Sequence, residues 1–351
     1  MNEVNKKIID AVIKKAEAVC PGSLALIGVY GSVATGDTYA KSDLDLMILI
    51  NDEKGWQLAE TFILNDIGIG YDIYCTGWGM LEEDAKCNHA HLSKLLDSSL
   101  VYIKDQSAVQ RLEKLRKKAS DLLASDERYK KAQAVFDNAK KAYADCFLTD
   151  SVPQIRFGAG AVIYSLLDAV MLYHGRYFRK GVKRTFEELE PLHIPFDIEG
   201  SIMDIIRAET SVGIRSGLTD LMRNMQACLQ FPYEKSAPNH DNISGTYEEM
   251  FSNWRNKMEE AADRGDLFSS FMNMVSFRFM IHEIAENVAV NEFEIMDSFD
   301  PHHPEKNLEA FDNALGIYLE EYRKVGIQPK CYANVDEFFA HYLAEVETDD
   351  F

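Results

Sequence analysis

The stretch "YGSVATGDTYAKSDLDLMILI" occupies residues 30–50. A glycine-serine turn, Gly31-Ser32, is followed ten residues later by Asp43-Leu44-Asp45, and an apolar run starts at Leu46. A strand entering a core has no structural use for two carboxylates at its lip. Charged groups are costly to bury unless they are paired or hold a cation. Alternate side chains of a strand share a face. Asp43 and Asp45 therefore point one way, and Leu44, Leu46 and Ile48 point the other way, into a core.

Two further apolar runs flank this one. Residues 24–30 (LALIGVY) and 69–75 (IGYDIYC) read, with 44–50, as strands, and Asp72 lies in the middle of the third. If the second and third strands are neighbours, Asp43, Asp45 and Asp72 converge on one spot. Three converging carboxylates repel one another unless a cation sits among them. Such hard oxygen ligands select Mg²⁺ or Mn²⁺. Upstream, Gly31-Ser32 leads from a strand into a helical turn at 33–35. Free N–H groups at a helix start attract phosphate, glycine lets it approach closely, and Ser32 adds a hydroxyl. A nucleoside triphosphate carrying a divalent ion needs this pairing of phosphate cradle and metal ligands. Lys41 and Ser42, on the same lip, are further candidate nucleotide contacts.

The rest of the chain frames this unit. Residues 3–19 form an amphipathic helix stopped by Pro21-Gly22. Together these segments predict a small mixed α/β domain over 1–105. Beyond it the periodicity turns helical, at 106–124, 126–147, 154–178, 199–229, 245–262, 267–290, 306–324 and 334–347. Turn formers at 230–245 and 300–305 mark loops. The expectation is a helical domain over 106–230 that contributes to the active site and an additional helical region over 231–351.

The composition is that of a folded protein: 351 residues, 46% apolar and 27% charged. Lys plus Arg is 37 against 57 Asp plus Glu, a balance of −20, with no basic stripe. That argues against nucleic acid as a partner and favours a cationic or neutral one. No apolar run of membrane-spanning length is read, and the first residues lack a signal-peptide pattern. The expectation is a cytoplasmic protein with no membrane partner. Six scattered cysteines without a CxxC pair read as reduced thiols.

The glycine-serine, ten-residue, DLD spacing within apolar strands resembles the signature of the polymerase-beta-like nucleotidyltransferase superfamily. "GVYGS…SDLDLMILI" and "GYDIYC" are most similar to the kanamycin-type aminoglycoside nucleotidyltransferases, over about residues 24–85 and more weakly over 150–185. The resemblance implies an α/β (α+β) N-terminal nucleotidyltransferase domain followed by a large all-α helical region. It implies Asp43, Asp45 and Asp72 as metal ligands and Gly31 and Ser32 as phosphate contacts. It also implies ATP or another NTP as substrate, a small polar hydroxyl acceptor, release of pyrophosphate, and a homodimer. In that family a carboxylate on a helix of the second domain activates the acceptor; the acid of the matching stretch here, 161–181, is Asp168. Two departures stand out. Thr35 occupies a place where small nucleotidyltransferases often carry a base, and this chain is longer than the kanamycin-type enzymes.

Other features carry less. Arg176, Arg179, Lys180, Lys183 and Arg184 form a basic cluster that reads equally as a phosphate site or a solvated helix end. The spacing in "CNHAH" (Cys87, His89, His91) fits no standard zinc set. Gly68-Ile69-Gly70 lacks the rest of a dinucleotide fingerprint. Two rival readings stay open: nucleotidyl transfer onto a protein side chain, as in toxin–antitoxin systems, and an inactive nucleotide-binding scaffold.

Overall fold

A computed structural model describes residues 2–231 and 235–344. The chain forms two compact units, Met1–Phe231 and Pro232–Phe351.

The first unit opens with helix α1 (Glu3–Val19), capped by the Asn2 side chain, which accepts from Asn5 N–H at 2.8 Å. A four-stranded sheet follows in the order β5-β2-β1-β6, with β1 Leu24–Val29, β2 Leu46–Ile50, β5 Cys75–Gly77 and β6 Ser99–Ile103. β1 runs antiparallel to β2 and β6, and β2 runs parallel to β5. The central strands are buried on both faces. Ile27, Val29, Leu46, Ile48 and Ile50 pack with Ile8, Ile9 and Val12 of α1. Ala25, Leu26, Met47 and Leu49 face the opposite cluster, built largely from helices. This explains why "LMILI" is uninterrupted instead of alternating. Leu49 is fully buried. Leu49→Ala is expected to cost about 2–5 kcal/mol, as cavity-forming core truncations do, read from the denaturant midpoint.

The strand carrying Asp72 departs from expectation. β4 (Ile69–Ile73) pairs with β3 (Glu60–Leu64) in a separate two-stranded ribbon, and the neighbour of β2 is β5. The chain thus leaves the ribbon at Ile73 before joining the sheet at Cys75.

Short helices α2 (Gly31–Thr35), α3 (Trp78–Asp84) and α4 (Ser93–Leu96) lie between the strands. Helices α5 (Gln106–Ala124), α6 (Glu127–Asp145) and α7 (Val152–Tyr173) follow. Contrary to the sequence reading, α7 has the length and composition of a membrane span. Its Ile155, Val162 and Leu166 are buried in the helical cluster, as in the core helix of a folded domain. After α8 (Thr185–Leu189), the segment expected as one helix over 199–229 is two: α9 (Ile198–Arg207) and α10 (Ser211–Cys228). Thr210 divides them because its hydroxyl caps α10, accepting from Gly213 N–H at 3.1 Å.

The described part of the second unit is built mainly of helices: α11 (His240–Ile243), α12 (Thr246–Met250), a π turn over Phe251–Arg255, α13 (Asn256–Arg264), α14 (Leu267–Asn287), α15 (Pro304–Lys324) and α16 (Val335–Ala344). Met274, Phe277, Phe311, Tyr318 and Tyr322 form its core. The two tyrosine hydroxyls are satisfied there: that of Tyr318 lies 2.7 Å from Thr246 Oγ1, and that of Tyr322 accepts from Tyr247 N–H at 2.7 Å.

Candidate active site

β1 delivers the chain to Tyr30 and Gly31, and the β2 lead-in delivers Asp43 and Asp45 beside them. The two strands are in register at Val29 and Leu46, and Tyr30 N–H donates to the Asp45 carbonyl at 3.1 Å. The paired strands therefore hold the glycine-serine turn and the DLD segment together. Leu44 is buried with Leu46 and Ile48 on the α1 side. Asp43 is exposed and Asp45 half-buried, in an extended segment just ahead of the strand.

Gly31 is where the approach is closest. Its φ is +63°, and a Cβ built there would lie 2.0 Å from Asp45 Oδ2. The Ser32 amide donates to the Asp45 carboxylate, which lowers its proton affinity, but burial and the neighbouring Asp43 charge raise it more. Burial, followed by the fields of Asp45, Asp84, Asp43 and Asp72, pushes the Tyr30 hydroxyl up to about 12. The site is a concentration of negative charge on a low-dielectric floor.

The floor opens into a cleft of about 570 Å³. Gly31, Ser32, Lys41, Ser42, Asp43 and Asp45 line it, joined by Gly68 and Gly70 of the β3–β4 hairpin. Arg179, Lys180 and Lys183 line it as well. The basic cluster thus reaches the cleft through Arg179, Lys180 and Lys183, whereas Arg176 and Arg184 do not line it. It is also anchored. Arg184 pairs with Asp37 at 2.9 Å and Lys183 with the same carboxylate at 3.4 Å, while Arg179 pairs with Asp97 at 3.0 Å. The Arg184 hydrogen bonds hold Asp37 well below the usual carboxylate range, at about 2.

Two expected members are not among the cleft-lining residues. Asp72 is exposed on the β3–β4 ribbon, where Thr61 Oγ1 donates to its Oδ1 at 2.9 Å. Among the described residues no three carboxylates, histidines or cysteines gather into a metal-ligand set. The ribbon pairing explains this, since β4 is not hydrogen-bonded beside β2. Asp168 is 3% exposed within α7 and is not among the cleft-lining residues. Its Oδ1 lies 3.3 Å from His91 Nε2. Conversely, Asp37, Tyr39, Ser93 and the glycines of residues 68–70 line the cleft without having been singled out for it. The one legible hint was Gly68-Ile69-Gly70, glycines at the turn into an apolar strand.

Residues 6–125 match the family model described as "Nucleotidyltransferase domain". The N-terminal part of this chain is a nucleotidyltransferase domain. Its sheet carries the glycine-serine turn and the DLD pair, and its match ends at Ser125, the residue after α5. The chain is also similar to a solved nucleotidyltransferase-like protein from Exiguobacterium sibiricum 255-15, at 12% identity and a TM-score of 0.37, covering 70% of this chain and 80% of that one. No curated protein matches the sequence.

The donor set of the nucleotidyltransferase domain fits a divalent ion. Asp43 and Asp45 are neighbouring carboxylates, and a hard cation would relieve their repulsion and the partial burial of Asp45. Mg²⁺ is commonly held by one or two carboxylates completed by substrate phosphates, so two ligands suffice.

Proposed function

We propose that the protein transfers a nucleoside monophosphate, AMP from ATP, to a hydroxyl of a small polar acceptor, releasing pyrophosphate. The observation that carries this reading is the cleft itself, which Asp43 and Asp45 line together with Gly31, Ser32, Arg179, Lys180 and Lys183. One cleft thus offers both cation-binding and anion-binding groups, as a triphosphate with its metal requires. A divalent ion held by Asp43 and Asp45 would supply charge neutralisation at the transferring phosphorus. Ser32 and the Gly31 backbone receive phosphate oxygens. Lys41 and Ser42 reach the triphosphate from the lip, and the basic wall holds the pyrophosphate as it leaves. The overall balance of −20 favours a cationic acceptor of aminoglycoside type.

Calorimetry with ATP and Mg²⁺ tests the nucleotide half, and pyrophosphate release with a panel of hydroxyl acceptors tests the other. Magnesium-dependent ATP binding followed by acceptor-dependent pyrophosphate release is the expected result. Absence of triphosphate binding would reduce the site to an inactive scaffold. Label from ATP ending in protein instead of a small molecule would move the acceptor to a protein side chain.

A further inference from the structure

Asp168 is a buried carboxylate on α7 whose Oδ1 has no hydrogen-bonded partner among the described residues. Its neighbours Leu166, Ala169 and Leu172 are core residues, where a polar group is costly unless it is partnered. The group that faces it is His91, whose Nε2 stands 3.3 Å from Oδ1. The His91 ring is fixed from both sides. It stacks on Tyr164 at 4.9 Å and 18°, and on Phe178 at 5.3 Å and 26°. The loop beneath it is pinned, because Phe178 N–H donates to the Ala90 carbonyl at 2.8 Å and His91 N–H donates to His89 Nδ1 at 3.2 Å. Even so, the imidazole stays 41% exposed. His91 is not itself among the cleft-lining residues, but its neighbours in the chain and in space are: Ser93, two residues on, and Arg179, next to Phe178, both line the cleft.

A half-exposed imidazole, clamped by two rings and backed by a buried carboxylate, has the arrangement of a proton acceptor set in one orientation. We propose that His91 takes the proton from the acceptor hydroxyl, with Asp168 as its positioning residue, an assignment that rests on the nucleotidyl-transfer reading above. In this assignment the Nε2–H turns to the Asp168 carboxylate, 3.3 Å away, and the Nδ1 lone pair is left for the acceptor. The acceptor O–H proton passes to Nδ1 as its oxygen forms a bond to the α-phosphorus and the bond to the pyrophosphate oxygen breaks. The imidazolium so formed is stabilised by the Asp168 carboxylate and returns its proton to solvent after product leaves. This places the base on the loop after α3 and gives the α7 carboxylate an indirect role.

The test uses the full chain with ¹⁵N-labelled histidine, His91 being assigned by its loss in His91→Gln. The expected ring spectrum has Nε2 protonated and Nδ1 bare. Asp168→Asn should disturb that tautomer, and saturating Mg·ATP should shift the His91 resonances in the wild type. With kanamycin as the probe acceptor, His91→Gln should lower turnover by about a hundredfold or more with Mg·ATP affinity unchanged. A His91 tautomer indifferent to Asp168→Asn, or His91 resonances unmoved by bound Mg·ATP, overturns the assignment even if kanamycin is not a substrate. Failure of the wild type to bind Mg·ATP would instead overturn the nucleotidyl-transfer reading, with the tautomer result standing apart from it.

Discussion

Gly31→Ala is expected to lower turnover by at least about a hundredfold, because a displaced catalytic group is costly over even 1 Å. Two independent effects combine at this position. The backbone sits at φ +63°, where a side chain costs roughly 1–2 kcal/mol. The new Cβ would also fall 2.0 Å from Asp45 Oδ2 and 2.6 Å from Cγ. The carboxylate cannot remain where it is, and the Ser32 amide loses its acceptor when it moves. Gly36 supplies the comparison. Its φ is +76°, but nothing lies within 4 Å of a Cβ there. Gly36→Ala should show the backbone cost alone, seen as a modest shift of the denaturant midpoint with nucleotide affinity nearly intact. Gly31→Ala should show a larger shift and loss of Mg·ATP binding by calorimetry. Equal behaviour of the two variants would mean that Gly31 serves only the turn.

That contrast marks what could be read from the chain before its fold. The alternation Asp43-Leu44-Asp45-Leu46 was legible because burial alone dictates it, and Leu44 and Leu46 do lie in the core beside α1. The closeness of Gly31 to Asp45 comes from the β1–β2 pairing, which the structure supplies. The placement of Asp72 was not legible, since local pattern cannot say whether a strand pairs with β2 or with its own hairpin partner. β3 was missed for a related reason: Glu60–Leu64 is half-exposed, so burial did not give it an apolar signature. The tie between Asp37 and Arg184 spans 147 residues. His91 and Asp168 meet only because α7 packs near the loop after α3, and each alone looks like an ordinary surface or core residue. Local spacing thus revealed the glycine-serine turn, the DLD pair and the basic cluster one by one, and hid the long-range contacts that bring the basic cluster to the cleft.

The remaining large effect concerns Asp45. Asp45→Asn should reduce transfer by about a thousandfold or more, since metal-held charge at a transferring phosphorus is worth several kcal/mol and each ~1.4 kcal/mol is tenfold. The same variant should fold at least as well as the wild type. Burial and the Asp43 charge raise the proton affinity of Asp45 in the folded protein. A carboxyl whose folded pKa is raised binds its proton more tightly when folded, so stability falls as pH rises from the unfolded value, about 3.9, through the folded one. Asparagine keeps an oxygen for the Ser32 amide and has no charge to lose. In metal-free protein the melting temperature of Asp45→Asn relative to wild type should therefore become more favourable as pH rises across that window, and then level off. Added Mg²⁺ should raise the melting temperature of the wild type and leave that of the variant nearly unchanged. A variant less stable than wild type at neutral pH without metal would show that Asp45 is held for the fold. A variant that still responds to Mg²⁺ would show that the ion binds elsewhere.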